Sequence, residues 1–169
     1  MTNFKKLSDE ELLKHTDADK PAALYEMGHR HLGQDKVKEA RKYLTLASVL
    51  GDKHAHVELA RIYEEEDNFE QAYELYELAY AKGESSVLPK LARLLMMSDP
   101  ALGIEVLKAN ALDGNIECLK ELIAVFEKDS SAQGKKELKF WQAKLAALTK
   151  SAESSAQEET DNEKSKSKK

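Results

Sequence analysis

Two histidine pairs, His29/His31 and His54/His56, a single cysteine, Cys118, and the acid run in "YEEEDNFE" are the residues of this chain whose types could do chemistry. Imidazole, thiolate and carboxylate together suggest a metal centre first. The spacing argues against one. Residues i and i+2 on a helix point to different faces, so neither histidine pair chelates by itself, and a metal site needs three or four converging ligands. The sequence has no glycine-rich phosphate loop, no Ser-His-Asp or Cys-His arrangement in recognisable context and no zinc spacing of cysteines. The expectation is therefore a protein with no catalytic, cofactor-binding or metal-binding residues and no cofactor. Cys118 reads as a small buried apolar residue, and the acid run as a solvated helix end.

The elements that must position these residues repeat along the chain. Gly51, Gly83 and Gly114 are spaced 32 and 31 apart, and each is followed four residues later by Ala55, Val87 or Cys118. Met27-Gly28, Leu59-Ala60, Leu91-Ala92 and Leu122-Ile123 recur in the same register, followed three residues on by His31, Tyr63, Leu95 or Phe126. His31 thus stands where other units carry an aromatic or leucine, which makes it a packing residue. Each unit reads as two helices. Ala55, Leu59, Ile62 and Tyr63 form one apolar stripe of the first, and Ala72, Leu75, Tyr76 and Ala79 one face of a second helix over 69–82. Asp67 is expected to cap that second helix, with Glu70 completing a capping box, and Asp99 to cap its counterpart with Pro100 at the first helical position. The three glycines are expected in the left-handed conformation that ends a helix. Small residues at Gly28, Ala47, Ala60, Ala79 and Ala92 sit where paired helices approach closely, and stacking on the next pair covers what each pair leaves open.

Small-xxx-Leu/Met-Gly/Ala-xx-aromatic, a short turn, then Ala-xx-Tyr-xxx-Ala-xxx-Gly-xxx-Ala resembles the Sel-one-like repeat family, close kin of tetratricopeptide repeats. The match is fullest in "AALYEMGHRHLG…KEARKYLTLASVLGDKHA" and covers about residues 20–149. The units are shorter than is usual for that family, and the second and third lack the glycine of the first helix, so the boundary with tetratricopeptide repeats stays open. The resemblance implies an adaptor that holds partner proteins. The fold expected is all-α: a right-handed α-α solenoid of about four helix-turn-helix repeats with terminal capping helices. Residues 1–20 form the amino-terminal cap, with Ser8 and Glu11 as its capping box. Residues 21–149 form the array, closed by a last helix with Phe140, Trp141, Leu145 and Leu148. Residues 150–169, polar and aperiodic, read as a disordered tail.

One group of residues stands out on this scaffold. In stacked helix pairs the first helices line the concave surface, and residues four apart share a face. Tyr25, His29, Arg61, Arg93 and Lys120 then form a ladder of mostly basic side chains in the groove, suited to a partner's carboxylates. Tetratricopeptide domains that clamp acidic peptide ends use basic and amide residues at equivalent registers, although this sequence lacks their paired asparagines. The plain alternative is that the two arginines pair with Glu58, Glu64, Glu65 or Glu127 as surface ion pairs.

Composition fits a binding protein of this kind. The chain has 169 residues, 41% of them hydrophobic, and a net charge of −5, which gives no basic balance for nucleic acid. The single cysteine points to no oxidising compartment, "MTNFKKLSDEELLKH" carries charges where a signal peptide is apolar, and no run is long enough for a membrane helix. The sequence reading is a cytoplasmic, non-enzymatic scaffold that binds a protein or acidic peptide in its groove, without nucleic acid or membrane as partners. The alternatives are a structural protein whose ends stack on further copies, for which an uncovered face at Phe140/Trp141 would speak, and a metal-dependent enzyme using groove histidines and acids. The oligomeric state is not readable.

Overall fold

Apolar residues at helical spacing, broken by glycine or aspartate about every sixteen positions, give a chain whose described residues hold helices and turns and no strand. The structure, a computed structural model, describes residues 3–12, 14 and 20–166, and beyond residue 151 the backbone alone. The helices are α1 (Asp9–Leu12), α2 (Lys20–Leu32), α3 (Val37–Val49), α4 (Lys53–Glu65), α5 (Phe69–Ala81), α6 (Leu88–Ser98), α7 (Pro100–Leu112), α8 (Ile116–Glu127) and α9 (Ala132–Lys166). None of the described helices is long and apolar enough to cross a membrane. The chain divides into two compact units, Met1–Leu94 and Leu95–Lys169.

In the first unit α2 packs on α3, α4 on α5, and α3 on α4. Leu24, Ala40, Leu44, Ala47, Ala55, Leu59 and Ile62 form one core cluster shared by α2, α3 and α4. Ala60, Ala72, Tyr76, Ala79, Val87, Leu91 and Leu94 form the next, shared by α4, α5 and the start of α6. A third cluster, Leu12, Ala23 and Met27 with Phe4, Leu7 and Tyr43 against it, covers the outer side of α2. Arg30 fastens this amino-terminal segment: its guanidinium bonds Glu26, Asp9 and the Phe4 carbonyl. At the amino-terminal segment the expected capping box is present. Ser8 and Glu11 exchange their capping-box hydrogen bonds, but the helix there spans only Asp9–Leu12, and residues 13 and 15–19 lie outside the described residues. In the second unit α7 packs on α8 and α8 on α9, burying Leu107, Ala111, Cys118, Leu119, Leu122 and Trp141.

The turns follow two chemistries. Gly51, Gly83 and Gly114 have φ of +88°, +83° and +91°, a region where a Cβ is strained, and each ends a helix and reverses the chain. Between paired helices, Asp35 and Asp67 occupy the same left-handed region at φ +58° and +57°. This corrects the expected capping box. Asp67 closes α4, Asn68 takes the cap position of α5 without a side-chain bond, and Glu70 lies exposed in the first turn. At the matching position Asp99 does cap its helix, its side chain accepting from the Leu102 N–H at 3.0 Å. Pro100 is the difference, because a residue before proline is pushed toward extended backbone, the conformation an N-cap uses.

One position differs from expectation, and one segment is described beyond residue 151 only by its backbone. Val87 is buried as expected but lies in a short 3-10 turn, Ser85–Val87, ahead of α6 rather than on it. Of the segment expected as a disordered tail, residues 150–166 are described as helical backbone continuous with α9, and 167–169 lie outside the described residues. Nothing after Gly134 in the sequence breaks a helix, and alanine, glutamine, glutamate and lysine are good helix formers.

Two expected outcomes concern this core. A Cβ built on Gly28 would lie 2.6 Å from Leu44 Cγ, and Leu44 is fully buried. Gly28→Val is therefore expected to cost about 1–3 kcal/mol in urea unfolding, and in combination with Leu44→Ala to cost less than the two changes summed. His56 is buried where α3 meets α4, its Nδ1 2.7 Å from Ser48 Oγ and its Nε2 without a partner. Burial, with Lys82 adding and Asp52 opposing, holds its pKa below the ordinary 6.5. As pH falls through that value the unfolded chain takes up a proton that the fold refuses, so stability drops on acidification and is flat above it. Between about pH 7 and pH 5 the urea midpoint should fall further for the native protein than for His56→Gln.

Candidate functional site

Gly28, Ala60 and Ala92 are buried against neighbouring helices, and the next residue on a helix turns about 100° away from the packed side. His29, Arg61 and Arg93 occupy that next position and are exposed. Tyr25, one turn before His29, stacks on its ring at 5.8 Å between centroids and tilts against His54 at 5.6 Å. Burial and the carboxylates of Glu58, Asp52 and Glu26 raise the Tyr25 pKa.

Two glutamates organise the cations. Glu58 lies between His29, whose Nδ1 is 3.8 Å from one carboxylate oxygen, and Arg61, whose Nη1 donates to the other at 3.0 Å. Glu64 accepts from Arg93 Nη2 at 2.6 Å and from the hydroxyl of buried Tyr76 at 2.5 Å. Both arginine side chains are 52% exposed, while those of Glu58 and Glu64 are 14% and 16% exposed. The structure thus gathers Tyr25, His29 and Arg61 around Glu58 and ties Arg93 to Glu64. Ion pairing, weighed from sequence as the plain alternative, is present at both arginines. Lys120 belongs to the second unit, on α8, and bonds Glu117 one turn back at 2.7 Å.

Sequence reasoning missed Lys90. Its ammonium sits over the Tyr76 ring, 5.2 Å from the centroid, and burial pushes it below the usual lysine range. Arg61 and Arg93 push it further down, while Glu64 and Glu58 hold it up, so all five charges share one neighbourhood. A signal was available: Glu26, Glu58, Lys90 and Glu121 are spaced 32, 32 and 31 apart, and the third reverses the charge of the others.

Beside this group a cleft of about 260 Å³ opens between α2 and α4. Leu32, Val37 and Ile62 supply its apolar lining, and His29, Asp35, Glu58, Arg61 and Glu65 its polar one.

The remaining candidates for chemistry are dispersed. His31 packs on Tyr43 at 5.3 Å between ring centroids, His54 approaches Glu84 at 3.7 Å, and Cys118 is fully buried, which raises its thiol to about 11. Among the described residues no group of three or more His, Cys, Asp or Glu converges to hold a metal ion. Met97 is exposed and Met96 half-buried. Comparison with protein-family models gives no match, and neither does comparison with curated proteins.

Tyr76 is fully buried, so removing the acceptor of its hydroxyl leaves an unsatisfied donor in the core. Glu64→Ala is expected to lower stability by about 1–3 kcal/mol in urea unfolding, and Glu64→Gln, which keeps an acceptor oxygen, by less.

Proposed function

We propose that the chain is a non-enzymatic interaction scaffold that holds a partner protein or peptide against the face built from α2, α4 and the start of α6, and that the partner meets this face with an acidic segment. In this reading the helix pairs stack as a right-handed α-α solenoid of the Sel-one-like or tetratricopeptide-like kind, in the cytoplasm, and the face is its inner surface. The observation that carries the reading is the state of Arg61 and Arg93. Each has one terminal nitrogen held by a largely buried carboxylate and a side chain that is 52% exposed. A guanidinium has five N–H donors in a rigid fork, so one internal bond leaves others for an incoming carboxylate. Fixing the side chain beforehand also lowers the entropy lost on binding. Lys90, Arg61 and Arg93 face Glu58 and Glu64, three cations against two anions, so the local balance favours an acid.

A structural protein that stacks on further copies draws on Phe140, 55% exposed, but the adjoining Trp141 is buried with its indole N–H on Glu137, which leaves that reading a smaller surface.

Arg61→Ala with Arg93→Ala is expected to weaken binding of a partner recovered by affinity capture by roughly 1.5 kcal/mol per contact, the low end for charge-assisted bonds because each guanidinium is already shared. Added salt should weaken the native complex and affect the double variant much less. Calorimetric titration of both forms checks this; equal affinities and equal salt slopes would remove the binding surface from this face.

A further inference from the structure

The cleft between α2 and α4 has a different charge from the arginine-lysine group beside it. Glu58 and Arg61 offset each other and belong to both regions, so what sets the cleft apart is the added pair of carboxylates, Asp35 and Glu65. Glu58 is already engaged by Arg61 and His29. The Asp35 and Glu65 carboxylates have no hydrogen-bond or ion-pair partner among the described residues, and both residues are exposed. Leu32, Val37 and Ile62 complete the walls with apolar surface.

We propose that this cleft receives a basic side chain, lysine or arginine, of the bound partner segment. The inference rests on the partner-binding reading above and extends it. A long basic side chain is the occupant that matches both halves of the lining. Its methylene stem covers the apolar wall and its cationic head reaches carboxylates that stay near water. An acidic side chain would enter a site of its own sign. An apolar one would desolvate Asp35 and Glu65 with nothing in return. Arg61 borders both regions: it lines the cleft, bonds Glu58, and with Arg93 lies among the charges that act on Lys90. A partner segment that carries a base and an acid in succession is therefore bound in one direction, base on the α2–α4 cleft and acid toward α6. A segment with the order reversed meets like charge at both places.

Three small probes test this on the full chain by backbone amide NMR: N-acetyl-arginine amide, N-acetyl-glutamate amide and N-acetyl-norleucine amide. The arginine probe is expected to give saturable shifts confined to residues 29–37 and 58–65, and the norleucine probe weaker, non-saturating ones. Asp35→Asn with Glu65→Gln should weaken the arginine probe roughly tenfold, the effect of removing two exposed charge contacts. Asparagine tolerates the left-handed backbone at position 35, so the fold is expected to persist, and unshifted amides elsewhere in the spectrum verify it. Arginine and norleucine probes of equal effect, an arginine response unchanged in the double variant, or a glutamate probe seated in the cleft would each overturn the proposal. A glutamate probe silent at Arg61, Lys90 and Arg93 beside an intact arginine response would instead count against the acidic-segment reading and leave the cleft assignment standing.

Discussion

The first unit depends on α4 being apolar on two sides. Ala55, Leu59 and Ile62 enter the cluster shared with α2 and α3, while Ala60, with Val57 and Tyr63, enters the cluster shared with α5 and the start of α6. A helix with one stripe is satisfied by one neighbour; a helix with two must be enclosed, so neither flanking pair can bury its core without it. The alanines make this affordable in space. Ala40, Ala47, Ala55, Ala60, Ala72, Ala79 and Ala92 are all fully buried, so backbones approach closely and the larger Leu44 and Tyr76 fill the remaining volume.

This enclosure also determines what remains outside. Gly28, Ala60 and Ala92 face inward, and His29, Arg61 and Arg93, one position on, lie on the exposed side of their helices. The carboxylates that restrain them come from other places on the same helices. Glu58 is on α4 and spans from its own helix to His29 on α2, and Glu64 connects α4 to Tyr76 on α5 and Arg93 on α6. The same packing that stacks the helices therefore fixes the charges on their exposed face. Glu64 is both a core residue, through the Tyr76 hydroxyl, and a surface one, through Arg93.

Close packing also makes titratable groups part of the fold. Arg30 joins Glu26, Asp9 and the Phe4 carbonyl, holding the amino-terminal turn to α2 from one side chain. In the second unit Glu137 accepts from Lys108 on α7 and from the Trp141 indole, and these two bonds hold its pKa below the usual carboxylate range. Arg41 on α3 lies over the Tyr63 ring and pairs with Glu66 at the end of α4. Arg41 and Lys108 reach from one helix to another in this way, each lying over an aromatic ring, Tyr63 or Phe126, while its charged end meets a carboxylate.

Much of the fold was legible because helical periodicity is local. The stripe at Ala55, Leu59 and Ile62, the left-handed glycines at 51, 83 and 114, the Ser8/Glu11 box and the Asp99-Pro100 start all follow from residues within one or two turns of each other. The sequence also placed His29, Arg61 and Arg93 off the apolar stripe, and all three are exposed; following a small inward residue is not enough by itself, because His56 follows Ala55 and is buried. Where reading failed, the deciding contact was not local. Asp67 and Asp99 share a register, yet only the proline after Asp99 turns the backbone toward a cap. Lys90 looks like an ordinary lysine until α5 places Tyr76 beneath it. Nothing in the spacing of Asp35, Glu58 and Glu65 reveals that they border one cleft with Arg61. Which carboxylate meets which cation depends on the distance and rotation between helices, and that is fixed by how the buried side chains interlock, a property of the assembled core that no stretch of chain carries alone.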